Sequence, residues 1–166
     1  MGLFDKLLKK EPEVELVERA DSDVVAVCTG KKIPTAEISD AVFAQEMMGK
    51  TIGIVPSESL VVSPANGTIE VLFPTGHAFG IRSNDGVGYL VHIGIDTVGM
   101  NGDGFKTLKK QGDTVKAGEP VVKVDFGKVK AQGLDPVTML IITELPEGKE
   151  VNYTDFTDVK AGDLIV

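Results

Sequence analysis

The sequence is poor in several residue types that would mark other kinds of protein. Its 166 residues include one cysteine, no tryptophan, two tyrosines and two histidines. A single thiol cannot build an internal disulfide framework, and Cys28 suits a reducing, cytoplasmic compartment. Within Val-Ala-Val-Cys it reads as a small core residue rather than a reactive nucleophile. No apolar run approaches the ~18 residues that a membrane-spanning helix needs. Basic side chains are in deficit: 17 Lys and Arg face 25 Asp and Glu, for a net charge of −8. That balance excludes the basic footprint of a nucleic-acid binder and favours a positively charged protein partner. The Gly-x-x-x-x-Gly-Lys-Ser/Thr phosphate loop of nucleotide-binding proteins is missing as well.

What is present points to strands and turns. Nineteen glycines and eight prolines punctuate a chain rich in β-branched residues, and 42% of it is hydrophobic, enough for one core. Short apolar runs recur at 24–28, 52–55, 60–62, 67–73, 77–82, 89–95, 121–126 and 137–144. Such spacing predicts an all-β fold, an antiparallel sandwich or barrel-like hybrid with one or two short helical turns. One helical turn is expected at residues 39–48, capped by Ser39, with Val42, Phe43, Met47 and Met48 along an apolar side. Val115-Lys-Ala-Gly-Glu-Pro-Val-Val returns as Val159-Lys-Ala-Gly-Asp-Leu-Ile-Val, an internal repeat of turn and strand. Asn66-Gly67 carries a hairpin signal.

The expected organisation is a flexible tail at residues 1–17 and a single domain at 18–166. The tail opens Met-Gly-Leu-Phe-Asp-Lys-Leu-Leu-Lys-Lys, which places Leu3, Phe4, Leu7 and Leu8 on one helical face. That pattern suits peripheral contact with an anionic membrane surface, or a solvated tail.

The two histidines carry the chemistry. Imidazole is largely neutral near pH 7 and serves as nucleophile, proton acceptor or metal ligand. Alternation along a strand puts Leu90, His92, Gly94 and Asp96 on one face and Val91, Ile93 and Ile95 on the other, towards the core. Gly94 leaves room beside His92 for something to approach. Asp96 stands ~13 Å along a straight strand, too far to orient the ring, so a backbone carbonyl is the expected partner for its second nitrogen. By the same parity Phe73, Thr75, His77, Phe79 and Ile81 share a face, and the Thr75 hydroxyl is spaced to hold the His77 ring. No carboxylate stands in that segment to make a triad-like base. One histidine that carries a group, beside a second that hydrogen-bonds the group's oxygens, fits phosphoryl transfer, which needs positioning and electrostatic stabilisation. Neither a cofactor nor a metal is required.

The blocks Thr75-x-His77-Ala78-Phe79 and Leu90-Val91-His92-x-Gly94-Ile95-Asp96-Thr97-Val98 resemble the signature segments of the glucose-type enzyme IIA family. These proteins are components of the bacterial phosphoenolpyruvate-dependent sugar phosphotransferase system. The likeness runs on through residues 62–69, Gly102-x-Gly104-Phe105 and Gly112-Asp113-x-Val115-Lys116-Ala117-Gly118, covering nearly everything after about residue 20. It implies that His92 is phosphorylated by the phosphocarrier protein HPr, that His77 contacts the phosphate, and that Thr75 holds His77. It further implies that His92 passes the group to a cysteine of the IIB domain of a membrane sugar transporter. Asp40 and Asp96 would form an acidic rim, and Val42, Phe43, Met47, Met48 and Phe73 an apolar collar that excludes water.

Three other readings compete. His92-x-x-x-Asp96 is half of a zinc-hydrolase pattern, but the His-x-His half is missing, leaving only adventitious zinc at His77 and His92. A lipoyl- or biotinyl-type carrier needs a modifiable lysine in a setting that neither Lys123 nor Lys128 has. A regulatory binding module is the remaining alternative.

Overall fold

The fold is seen in a computed structural model that describes residues 13–166. The amphipathic stretch at residues 1–10 lies outside the described residues. The large sheet contains β1 (Gly30–Ile33), β2 (Lys50–Pro56), β4 (Gly67–Leu72), β5 (Ala78–Ser83), β6 (Gly88–Ile93), β8 (Thr114–Val115), β10 (Thr138–Glu144) and β11 (Asp158–Val159). Its strands run in the order β11-β1-β2-β10-β6-β5-β4-β8. A small sheet holds β3 (Leu60–Val62), β9 (Pro120–Val124) and β7 (Phe105–Thr107), in the order β3-β9-β7. Every pairing is antiparallel. The two sheets share one apolar core, since Val61, Val121 and Val122 of the small sheet cluster with Ile54, Phe79, Ile81, Val91 and Leu140 of the large one. The β-sandwich expected from the sequence is what forms.

The central strand β10 is buried on both faces, and this positions the site. Leu140 and Ile142 join the main core, whereas Met139 and Ile141 face the other way. There they meet Ile38, Phe43, Ile95 and Val137 in a second, smaller cluster. This patch anchors helix α1 (Ala41–Ala44) onto the outer face of the sheet. The helix is shorter than the expected 39–48 turn and is capped by Asp40, not Ser39: the Asp40 carboxylate accepts a hydrogen bond from the Val42 amide at 2.8 Å. It stops early because Glu46 adopts φ 55°, in the left-handed region. Helix α2 (Phe126–Ala131), capped by Asp125, follows β9 and takes up Phe126, the last residue of the run expected as strand at 121–126.

Other expectations fail for local reasons. Asn66-Gly67 makes no hairpin, because β3 and β4 lie in different sheets and residues 63–66 cross between them. The Asn66 side chain instead accepts a hydrogen bond from the Ala117 amide at 2.8 Å. Residues 24–28 are fully buried but make only a bridge, Val25 to Leu164. The internal repeat is real at atomic detail. In each copy the acidic side chain accepts from the lysine amide three residues back, Lys116 to Glu119 at 3.0 Å and Lys160 to Asp163 at 2.9 Å. Lys110 to Asp113, at 2.8 Å, is a third such turn. At the end of the expected tail, the Val14 side chain reaches Gly162, and Arg19 donates to the Gly162 carbonyl at 3.1 Å.

Candidate functional site

Strands β5 and β6 are neighbours, with Ala78 opposite His92. His77, one residue before β5, accepts the Ile93 amide with its own carbonyl at 2.7 Å. Register brings the two segments together, and His77, just outside the strand, departs from the alternation that would put it on the face opposite His92. Their ring centroids lie 5.4 Å apart, nearly perpendicular at 81°. The strict alternation expected for this segment breaks at a turn, where the Gly76 amide donates to the Phe73 carbonyl and Gly76 takes φ +73°. Phe79 and Ile81 enter the core, Phe73 stays exposed, and His77, one residue before β5, turns to the site, only 6% accessible. A side chain at Gly76 would be strained and would press within 3.1 Å of Phe105 Cβ.

Each ring has one nitrogen engaged. His92 Nδ1 lies 2.8 Å from the Gly94 carbonyl. A carbonyl only accepts, so Nδ1 carries the proton and Nε2 keeps its lone pair. His77 Nδ1 lies 2.5 Å from the Thr75 hydroxyl. The Phe43 ring packs against His92 at 5.0 Å and the Phe73 ring against His77 at 5.1 Å. Burial lowers the pKa of both histidines below the ordinary 6.5. For His77 the neighbouring His92 pushes in the same direction. For His92 the Gly94 carbonyl, Asp40 and Asp96 pull partly back by favouring the cation. Two neutral imidazoles thus stand side by side at pH 7, with carboxylates near enough to stabilise positive charge developing on His92.

Gly94 serves a different purpose from the one the sequence suggests. It adopts φ +73°, and a Cβ there would lie 2.5 Å from Thr97 Cγ2 and 3.1 Å from the Asp135 carbonyl. What approaches Gly94 is the chain itself. The bend there also sends Ile95 away from the core shared by Val91 and Ile93, into the outer cluster beneath α1.

Asp40 and Asp96 both act on the His92 ring, Asp40 from the cap of α1 and Asp96 from a left-handed residue beyond β6. Val42, Met47, Met48 and Phe73 are exposed, Met47 most of all at 69%. Phe43 is not part of that exposed set. It is 8% accessible and forms a wall under His92. Two residues gain importance that sequence reasoning had not given them. Val98 is exposed just past Asp96, and Thr97 is wholly buried behind Gly94. Both stand in the Asp-Thr-Val run of the second histidine block, the one available signal. Among the described residues, no group of three or more His, Cys, Asp or Glu side chains is placed to hold a metal ion. Concavities of about 680 and 760 Å3 elsewhere on the protein are lined by neither histidine.

A paired-histidine surface on an antiparallel sandwich defines a phosphoryl-carrier class, and comparison with known proteins gives the family. Residues 22–147 match the family described as phosphoenolpyruvate-dependent sugar phosphotransferase system, EIIA 1. The chain belongs to that family. It is 40% identical over 159 residues to the PTS system glucose-specific EIICBA component of Staphylococcus saprophyticus. That match takes in 95% of this chain but only 23% of the relative, so the chain spans about a quarter of the relative's length. The solved glucose permease IIA from Mycoplasma capricolum superposes with a TM-score of 0.80 at 35% identity, covering 86% of this chain and 92% of that one. Among the described residues no helix is long and apolar enough to cross a membrane.

Proposed function

We propose that His92 is the phosphoryl acceptor and that the group bonds to Nε2. The supporting observation is the bond from His92 Nδ1 to the Gly94 carbonyl, which leaves Nε2 as the only nucleophilic nitrogen of that ring. In this reading phospho-HPr docks in the cytoplasm over the exposed apolar residues Val42, Met47, Met48 and Phe73. Its basic side chains face Asp40 and Asp96. As the phosphorus leaves the donor imidazole, the donor nitrogen keeps the bonding pair and Nε2 of His92 forms the new P–N bond. The charge that His92 acquires is shared with its Nδ1–H, whose bond to Gly94 strengthens. His77 donates from Nε2–H to a phosphoryl oxygen, a role that requires its Nδ1 to accept the Thr75 hydroxyl proton.

Onward transfer reverses the process. A cysteine thiolate of the IIB domain attacks phosphorus, the P–N bond breaks, and the electron pair returns to Nε2 of a neutral His92. The names of the relatives point to glucose-class sugars as the transported cargo. Two histidines with no third ligand among the described residues disfavour a catalytic zinc site, which takes three protein ligands and a water. The assignment has a direct test: His92→Ala should accept no label from radioactive phosphoenolpyruvate in the presence of the general components. Undiminished labelling of the variant would sink it.

A further inference from the structure

We propose that Thr97 is a positioning residue for phosphoryl transfer, holding the peptide that fixes the tautomer of His92. The proposal rests on the role given to His92 above. The ring is oriented by one bond, from Nδ1–H to the carbonyl of Gly94. That carbonyl lies in a turn outside any strand, so something must hold it. Two consecutive peptide units are pinned there. The first, between Ile93 and Gly94, donates from the Gly94 amide to the Val137 carbonyl at 2.9 Å, and its own carbonyl accepts the Thr97 hydroxyl at 2.5 Å. The second, between Gly94 and Ile95, donates from the Ile95 amide to the Asp135 carbonyl at 2.9 Å and presents its carbonyl to His92.

Thr97 is the only side chain among these anchors, and it acts twice. Its hydroxyl holds the first peptide while its methyl fills the space against Gly94, 2.5 Å from where a Cβ would stand. The side chain is fully buried, so a lost hydroxyl cannot be replaced by bulk water without opening the turn. With the first peptide free to tilt, the second follows, and the Gly94 carbonyl drifts from the ring. His92 then redistributes its proton between Nδ1 and Nε2, and each molecule protonated on Nε2 has lost its nucleophile.

The test compares Thr97→Val, which keeps the shape and removes the hydroxyl, with Thr97→Ser, which keeps the hydroxyl and removes the methyl. Nitrogen-15 NMR of the imidazoles reads the tautomer directly, and rapid-quench labelling from phospho-HPr reads the transfer rate. The expected result for Thr97→Val is a mixed His92 tautomer and a transfer rate reduced roughly tenfold or more, with His77 signals unmoved. Thr97→Ser should restore the Nδ1–H form and most of the rate. A Thr97→Val protein that folds, keeps a pure Nδ1–H His92 and transfers at the wild-type rate would overturn the proposal. If Thr97→Val is too unstable, the tautomer and rate of folded Thr97→Ser decide: a mixed tautomer there contradicts the hydroxyl's role. Should wild-type protein be labelled at a residue other than His92, the reading of the site fails instead, and the labelling pattern separates the two failures.

Discussion

At the residue scale the site works by keeping two bases uncharged against a surface that is otherwise strongly acidic. Burial lowers both histidine pKa values, and a neutral ring is needed for attack on phosphorus. Phosphoryl acceptance should therefore be flat with pH above about 6.5 and fall only in more acidic solution, as measured by initial labelling rates. Stability follows the same linkage. Between the lowered folded values and 6.5, the unfolded chain binds more protons than the folded one, so stability rises with pH. The contribution is complete above 6.5 and is lost as pH falls through the folded values. Melting temperature should drop on acidification, and a His77→Gln His92→Gln double variant should show a shallower drop over that interval. His77→Gln alone should still accept phosphate, because Nε2 of His92 is intact, yet pass it to a IIB domain far more slowly. Equal onward rates would remove His77 from the mechanism. Gly94→Ala forces a left-handed alanine against Thr97 and should cost about 1–3 kcal/mol in denaturant unfolding.

At the scale of elements, β5, β6 and β10 form the platform of the site, and α1, seated on the outer patch, supplies its wall. Asp40 both caps α1 and faces His92. Asp40→Ala should cost about 1 kcal/mol of stability from the lost cap and also slow transfer, whereas Asp40→Asn should keep most of the stability. Thermal melts and labelling rates on the two variants separate those effects. The strands that alternate or run apolar, such as β2, β3, β4 and β10, could be read from the sequence because burial imprints their pattern. Strands β1, β7, β8 and β11 could not, since each has two to four residues and none is a wholly apolar run like β3. The pairing of Thr75 with His77, and a carbonyl partner for His92, followed from spacing and chemistry. What spacing could not supply was the route of the turns. Gly76 and Gly94 both break strand parity through positive φ, and the sequence shows only that glycine is there. The burial of Phe43 was hidden for a related reason: the patch formed by Met139, Ile141 and Ile95 that receives it is assembled from distant segments.

At the scale of the whole molecule, the chain carries a net charge of −8, and the contact zone proposed for the carrier includes the exposed Val42, Met47, Met48 and Phe73. Association with a basic carrier should therefore be electrostatically steered, its on-rate falling steeply as salt rises to ~0.5 M while the rate of transfer within the bound complex stays constant. Stopped-flow measurements at several ionic strengths would resolve the two. The measurement that bears most directly on the mechanism is the site of the phosphate. Phosphorus and nitrogen NMR of protein charged from phosphoenolpyruvate, with mass-spectrometric mapping of the acid-labile group, should place one phosphate on Nε2 of His92. Phosphate on Nδ1 of His92, on His77, or on a hydroxyl side chain would contradict the account.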